Sequence, residues 1–556
     1  MTQKRAVKLL LGPLALAMSL SLVGPEVRAA QADLPEIGIN LSGVRYYARE
    51  LPFIDLMKGA GWNKGTPFNY DGDIDVRDDG YPSEIRSGQA YRLFDKPAGV
   101  PGGRYVLLYD GQGNVDIDGG YNRSAGRIEV SFEGSDTKSR RFIRIHSTDA
   151  GDPVRNMRLV PAAQESTYRS GTPEKPFRQQ FLDNWDMMDS YRYMDWQDTN
   201  ASPLERWDQR TLPTDSTQAS DYGVALEHQI QLSNQTGKKP WFTVPHLADD
   251  NYIRNMATMI RDNLDPNLNA RIEYSNEVWN WSFEQAHWAA TQGVELGLDD
   301  EWGTLSQQRF YAQRSKEMFQ IFEDVFTQGG TNPDGLNRLT RVLSGHAGNS
   351  WVIERALEHG GVADHVDAIA IAPYIQGTLH DQSETPGEVY NATGEELKEM
   401  TWEERFDWYW GQLDKAVEDM ESHAQIAEQL GVDLFAYEGG QHLVAHGDLN
   451  QDTELVNLFM EMNRRPEMRE LYRRYLEEWE RVGGDDFMLF ASTSGFGSFG
   501  SWGLKEYEDQ PLSETPKLQG VLDYLAAREE PIPEPAGLAA MLLVGAPLLL
   551  RRRRRA

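Results

Sequence analysis

Cysteine is absent from the 556 residues. Disulfides, thiolate metal sites and a cysteine nucleophile are therefore excluded. Positive charge is scarce: 55 lysines and arginines stand against 86 acids, for a net charge of −31. Binding to phosphate backbones needs a basic surface, so nucleic acid is not an expected partner. The acids are spread along the chain, as in a solubilising surface. Neither terminal apolar run reaches the ~20 residues of a full membrane span. Also missing are a His-Glu-x-x-His zinc motif, a Gly-x-Ser-x-Gly nucleophile elbow and a phosphate loop. "DGDIDVRDDGYP" (71–82) has the acidic spacing of a calcium loop, but Val76 stands where an EF-hand requires glycine, which makes it an acidic turn. No metal or cofactor is expected.

What is present supports a large core: 40% of the residues are hydrophobic and 10% aromatic. The N-terminus places Lys4, Arg5 and Lys8 before an apolar run that ends near "VRAAQAD". That layout predicts a secretory signal peptide over 1–32. The C-terminus, "PEPAGLAAMLLVGAPLLLRRRRRA", joins a Pro-Glu-Pro motif, an apolar stretch and an arginine cluster. These three parts resemble the PEP-CTERM sorting signal, here over 530–556. The resemblance implies an exosortase-type processing enzyme as partner, transient anchoring in the inner membrane, and a Gram-negative host that makes exopolysaccharide. The expected location is secreted or at the cell surface.

Hydrophobic period gives strands and helices in alternation. Eight apolar runs read as strands: 37–41, 191–196, 241–245, 271–275, 339–344, 368–372, 434–437 and 487–491. After the first, "LPFIDLMKGAG" reads as a helix. From 65 to 161 the pattern breaks into short alternating runs between glycine-rich turns, such as "GRYVLLYDG" and "GRIEVSFEG". These predict a β-sandwich. Eight βα units with this interruption predict an α/β fold, a (β/α)8 TIM barrel with the sandwich inserted between strands 1 and 2. The rival is a doubly wound open sheet. The domain expectation is a first βα unit over 33–64, the sandwich over 65–161, a linker over 162–176 and the rest of the barrel over 177–529. The sandwich is either a glycan-binding module, through Tyr105, Tyr109 or Tyr121, or a spacer.

In a TIM barrel, chemistry gathers at the C-terminal ends of the strands. Those ends carry Arg192 and Trp196, His246, Asn276 and Glu277, His346, Tyr374, Glu438 and Trp502. Two carboxylates stand out. Glu277 lies in "RIEYSNEVWNW", beside Trp279 and Trp281, and Glu438 lies in "AYEGG". An aromatic setting favours the protonated form of a carboxyl group. Paired carboxylates are what glycoside hydrolysis requires.

"SNEVW" after strand 4, "APY" after strand 6, "YEGG" after strand 7 and a tryptophan after strand 8 together resemble clan A of the glycoside hydrolases. The resemblance implies a (β/α)8 barrel, a retaining mechanism, Glu277 as acid/base and Glu438 as nucleophile. It also implies Asn276 on the sugar 2-hydroxyl, Tyr374 as a donor to Glu438 and Trp502 as a floor for the sugar ring. Substrate contacts are further expected from His246, Arg192, Trp196, Trp279 and His346. Many members of the clan carry a histidine two residues before the strand-6 tyrosine, where this chain has Ala372. The expected function is a secreted retaining glycoside hydrolase acting on a polysaccharide or oligosaccharide. The alternative is a non-catalytic glycan-binding or exopolysaccharide-matrix protein.

Overall fold

The computed structural model describes residues 34–59, 61–63, 76–85, 90–94, 100–134, 141–171, 173–377 and 392–529. The predicted signal peptide and sorting tail lie outside the described residues. Among those described, no helix is long and apolar enough to cross a membrane.

Eight short strands carry the architecture. They are β1 (Ile37–Asn40), β2 (Ser190–Arg192), β3 (Lys239–Val244), β4 (Ala270–Tyr274), β5 (Leu339–Ser344), β6 (Ala368–Ile371), β7 (Asp433–Ala436) and β8 (Phe487–Leu489). Each pairs in parallel with the next, and β8 returns to β1 through Ile37–Phe487 and Ile39–Leu489. That closure excludes the open sheet. Strands covered on both faces need continuous apolar sequence, and "AIAI" of β6 is buried at every position.

Helices supply the outer layer, and their ends follow local rules. The helix Asp250–Asn263 starts where the Asp249 side chain accepts the Tyr252 N–H. It buries Ile253, Met256, Ala257 and Ile260 along one face. The long helix Trp402–Leu430 starts in a Thr401–Glu404 capping box and stops at left-handed Gly431.

Between β1 and β2 the chain forms two four-stranded antiparallel sheets. One contains the strand Gly103–Asp110 between Arg127–Phe132 and Arg155–Pro161. The other is built around Arg141–Thr148. Leu107, Ile128 and Leu159 of the first sheet share an apolar cluster with Val115, Ile143 and Ile145 of the second. Tyr105 is buried edge-on against Phe132, whereas Tyr121 is exposed.

Two local readings are corrected. "LPFIDLMKGAG" is not one continuous helix: its described residues hold the short 3-10 turn Leu56–Gly59 and no longer helix, and Leu56 and Met57 join the cluster of the inserted sheets. Their apolar spacing serves that cluster and not a barrel helix. The second barrel strand is also shorter than its apolar run, because the chain turns after Arg192. Gln197 N–H donates to the Tyr193 carbonyl within that turn.

Candidate active site

Arg192, at the end of β2 and fully buried, organises the barrel mouth. One guanidinium nitrogen, Nη1, donates to Glu438 Oε1 at 2.9 Å and to Asn40 Oδ1 at 3.1 Å. The other, Nη2, donates to Glu273 Oε2 at 2.8 Å and to Asn276 Oδ1 at 2.9 Å. The guanidinium also lies over the rings of Trp241 and Tyr437. One planar fork thus binds residues contributed by β1, β4 and the loop after β7. A lysine could not span them.

Glu438 follows β7. Besides Arg192, its Oε2 accepts from the Tyr374 hydroxyl at 2.9 Å. Glu277 follows β4 and has only neutral donors: Asn280 Nδ2 at 2.8 Å on Oε2 and the Tyr437 hydroxyl at 3.1 Å on Oε1. Trp279 Nε1 donates in turn to the Tyr437 hydroxyl at 3.2 Å. Glu277 and Glu438 are both buried, at 9% and 5% residual exposure. Burial, the largest influence, pushes Glu438 above the ordinary carboxylate range; the Arg192 guanidinium opposes this, and the Glu277 charge adds to it. Burial likewise pushes Glu277 upward, against the Asn280 and Tyr437 donors and Arg192.

The turn that presents Glu277 is strained. Ser275 and Glu277 both have left-handed backbone angles, φ 60° and 43°. Non-glycine residues pay about 1–3 kcal/mol for such conformations, and they persist where the surroundings fix them. Here Ser275 N–H still pairs with the Val244 carbonyl, and Glu277 C=O accepts the Asn280 N–H. Asn276, between them, is held by Arg192, by Asn200 through its Nδ2, and by Gln285 at its carbonyl.

Other site residues fall into place unevenly. The Trp502 ring meets the Tyr374 ring edge-on at 5.8 Å, and Trp279 stacks on His346 at 4.2 Å. His246 packs edge-on against Trp288, and burial holds its pKa down to about 4, so the ring is neutral. Trp196 does not line the mouth. It is 1% exposed, stacked on Phe181 and packed against Phe53 and Tyr193, because the turn after Arg192 swings it into the core. Gly439 and Gly440 give room to the protein itself: a Cβ on Gly439 would meet Phe487 at 2.3 Å, and one on Gly440 would meet the Tyr472 hydroxyl at 2.9 Å.

Glu273 and Tyr437 are among the residues of the site not singled out from the sequence. Glu273, within β4, is fully buried and accepts from Arg192, from Trp241 Nε1 at 2.9 Å and from Ser344 Oγ at 2.5 Å. The signal was an acid inside an otherwise buried strand, "ARIEY", which demands a cationic partner. Tyr437 adjoins Glu438, and nothing in "AYEGG" marks it as a donor to the other glutamate.

This is a (β/α)8 barrel with paired carboxyl groups at its mouth. No family model matches the chain, and no curated protein is significantly similar to it. Among solved structures, it is similar to a modular endo-β-1,4-mannanase of glycoside hydrolase family 26 from Cellulomonas fimi, at 12% identity and TM-score 0.30. That match covers 61% of this chain, which spans 62% of the mannanase. A Bacteroidetes-affiliated GH5 cellulase linked with a polysaccharide utilization locus matches at 10% identity and TM-score 0.33, over 64% of this chain and 88% of the cellulase. A fungal β-1,4-galactanase matches at 9% identity and TM-score 0.29, over 64% of this chain and 96% of that one. The fold assignment rests on the closed eight-strand barrel itself. Among the described residues, no three His, Asp or Glu side chains gather as a metal site.

Proposed function

We propose that the chain is a retaining glycoside hydrolase acting on a polysaccharide, with Glu438 as nucleophile and Glu277 as acid/base. The observation that carries this is the unequal set of donors. Glu438 receives a guanidinium and a phenol, whereas Glu277 receives only neutral donors. Two coupled buried carboxyl groups resist losing both protons, and the remaining one stays on the member without the cation. In the proposed cycle the pair shares one proton, which Glu277 holds, and Glu438 attacks as the carboxylate.

The chemistry follows from that difference. A Glu438 oxygen attacks the anomeric carbon as the glycosidic C–O bond breaks, and the Glu277 proton passes to the departing oxygen. Water then attacks the same carbon, giving its proton to Glu277 and releasing Glu438. Asn276 offers its amide to the sugar 2-hydroxyl, and Trp502 offers a ring to its apolar face. The terminal segments would export the enzyme and hold it at the inner membrane until the tail is cut.

The test is proton NMR of the first product formed from a soluble polysaccharide that the chain cleaves. Retained anomeric configuration is expected, with at least a thousandfold loss of turnover in Glu438→Gln. Inverted product, or full turnover by that variant, would remove Glu438 from the nucleophile's role.

A further inference from the structure

Beside Glu438 the barrel mouth opens into a groove of about 550 Å³, lined by the loops after β1, β2 and β8. Trp502 forms part of its wall and touches Tyr374, the donor to Glu438, so the groove continues the candidate active site. In a chain of net charge −31, the groove is lined by two arginines, Arg45 and Arg49, and one acid, Asp195.

The two arginines differ. Arg45 is neutralised by an ion pair with Asp198. Among the described residues no carboxylate pairs with Arg49. Arg49 is exposed, and its guanidinium lies beside Gly495, where a Cβ would meet Arg49 Nε at 2.6 Å and Cζ at 2.7 Å. An exposed tyrosine, Tyr47, stands on the same wall.

We propose that this groove is a subsite for a sugar bearing a carboxylate, so that the polysaccharide substrate contains uronic acid residues. The planar guanidinium of Arg49 matches a carboxylate with two parallel hydrogen bonds. Trp502 and Tyr47 offer rings to the apolar face of the sugar. Asp195 accepts from its hydroxyls. The subsite deepens the glycosidase assignment above and depends on it for the word substrate.

The test uses the full chain carrying Glu438→Gln, which keeps oligosaccharides intact during calorimetry. The probes are oligogalacturonides and glucose–glucuronic acid oligomers, each beside its carboxyl-reduced neutral form and a sulfated neutral form. At least one carboxylated oligomer should bind about tenfold more tightly than its reduced form at low salt, with the difference shrinking as salt rises. Arg49→Ala in the same background should abolish that preference, and Arg49→Lys should restore part of it. Equal binding of carboxylated and reduced oligomers overturns the proposal. So does a preference indifferent to Arg49→Ala, a stronger preference for the sulfated form, or no binding at all. If the native chain cleaves none of the oligomers that the variant binds, the glycosidase assignment fails and the carboxylate subsite stands.

Discussion

Tyr437 shows how closely the two glutamates are wired together. Its backbone precedes Glu438, while its hydroxyl donates to Glu277. That donor favours the ionised form of Glu277 and so restrains the upward push of burial. A general acid works only below its own pKa, and a nucleophile only above its own, so activity should fall at both pH extremes. With Glu277 as the acid/base proposed above, the basic limb belongs to it. Removing the Tyr437 hydroxyl removes a lowering influence, so Tyr437→Phe should move the basic limb of kcat/KM upward, by about half to one pH unit for one hydrogen bond. A limb that moves downward, or stays in place, would mean that Glu277 is not the group titrating there. Glu277 and Glu438 were legible as residues because each follows a strand within an aromatic or glycine-rich turn. Tyr437 was not, because its role depends on a bond across the barrel that no local pattern encodes.

Between elements, a second buried carboxyl group ties the barrel's closing seam. Glu50, in the loop after β1, accepts from Trp185 Nε1 at 2.7 Å, Ser492 Oγ at 2.8 Å and Thr493 Oγ1 at 2.8 Å. It therefore joins the chain entering β2 to the loop leaving β8. Burial pushes it from 4.5 up to about 7, with the three donors opposing. A carboxyl group whose folded pKa lies above its unfolded value contributes stability that is fully present below about pH 4.5. That contribution is lost as pH rises through about 7. The span corresponds to about 3 kcal/mol. Glutamine has the same shape: its oxygen can accept from Trp185 and Thr493 while its amide donates to Ser492. Glu50→Gln should thus flatten the pH dependence, so that native and variant Tm values diverge by a few degrees between pH 5 and 8, the variant being the higher. Parallel Tm curves would show that Glu50 does not titrate in the folded chain. The strands around this seam were readable because parallel strands need unbroken apolar runs. Their ends were not: the turn after Arg192 depends on where Trp196 finds a core, and Leu56 and Met57 serve a sheet that lies far along the chain.

At the scale of the whole molecule, the barrel was legible from eight apolar runs and the inserted sheets from short alternating ones, since both patterns are periodic. Closure of β8 on β1 was expected from the count of eight βα units, although no single segment encodes it. Net charge acts at this same scale. With 86 acids and 55 bases, self-repulsion disfavours the compact state. Surface ion pairs such as Arg469–Asp523 and Arg464–Glu506 act in the opposite sense. Each such exposed pair is worth about 0–1 kcal/mol, and salt screens it too. The excess of negative charge has no pairing to offset it, so screening relieves more repulsion than it costs in attraction. Raising NaCl from 0.05 to 1 M shortens the Debye length from well over 10 Å to about 3 Å and should raise Tm by several degrees. The rise should vanish near pH 4 to 5, where protonated carboxylates bring the net charge toward zero. A Tm that falls with salt at pH 7 would show instead that the ion pairs outweigh the excess charge, and that the acidic surface is held by its arginines.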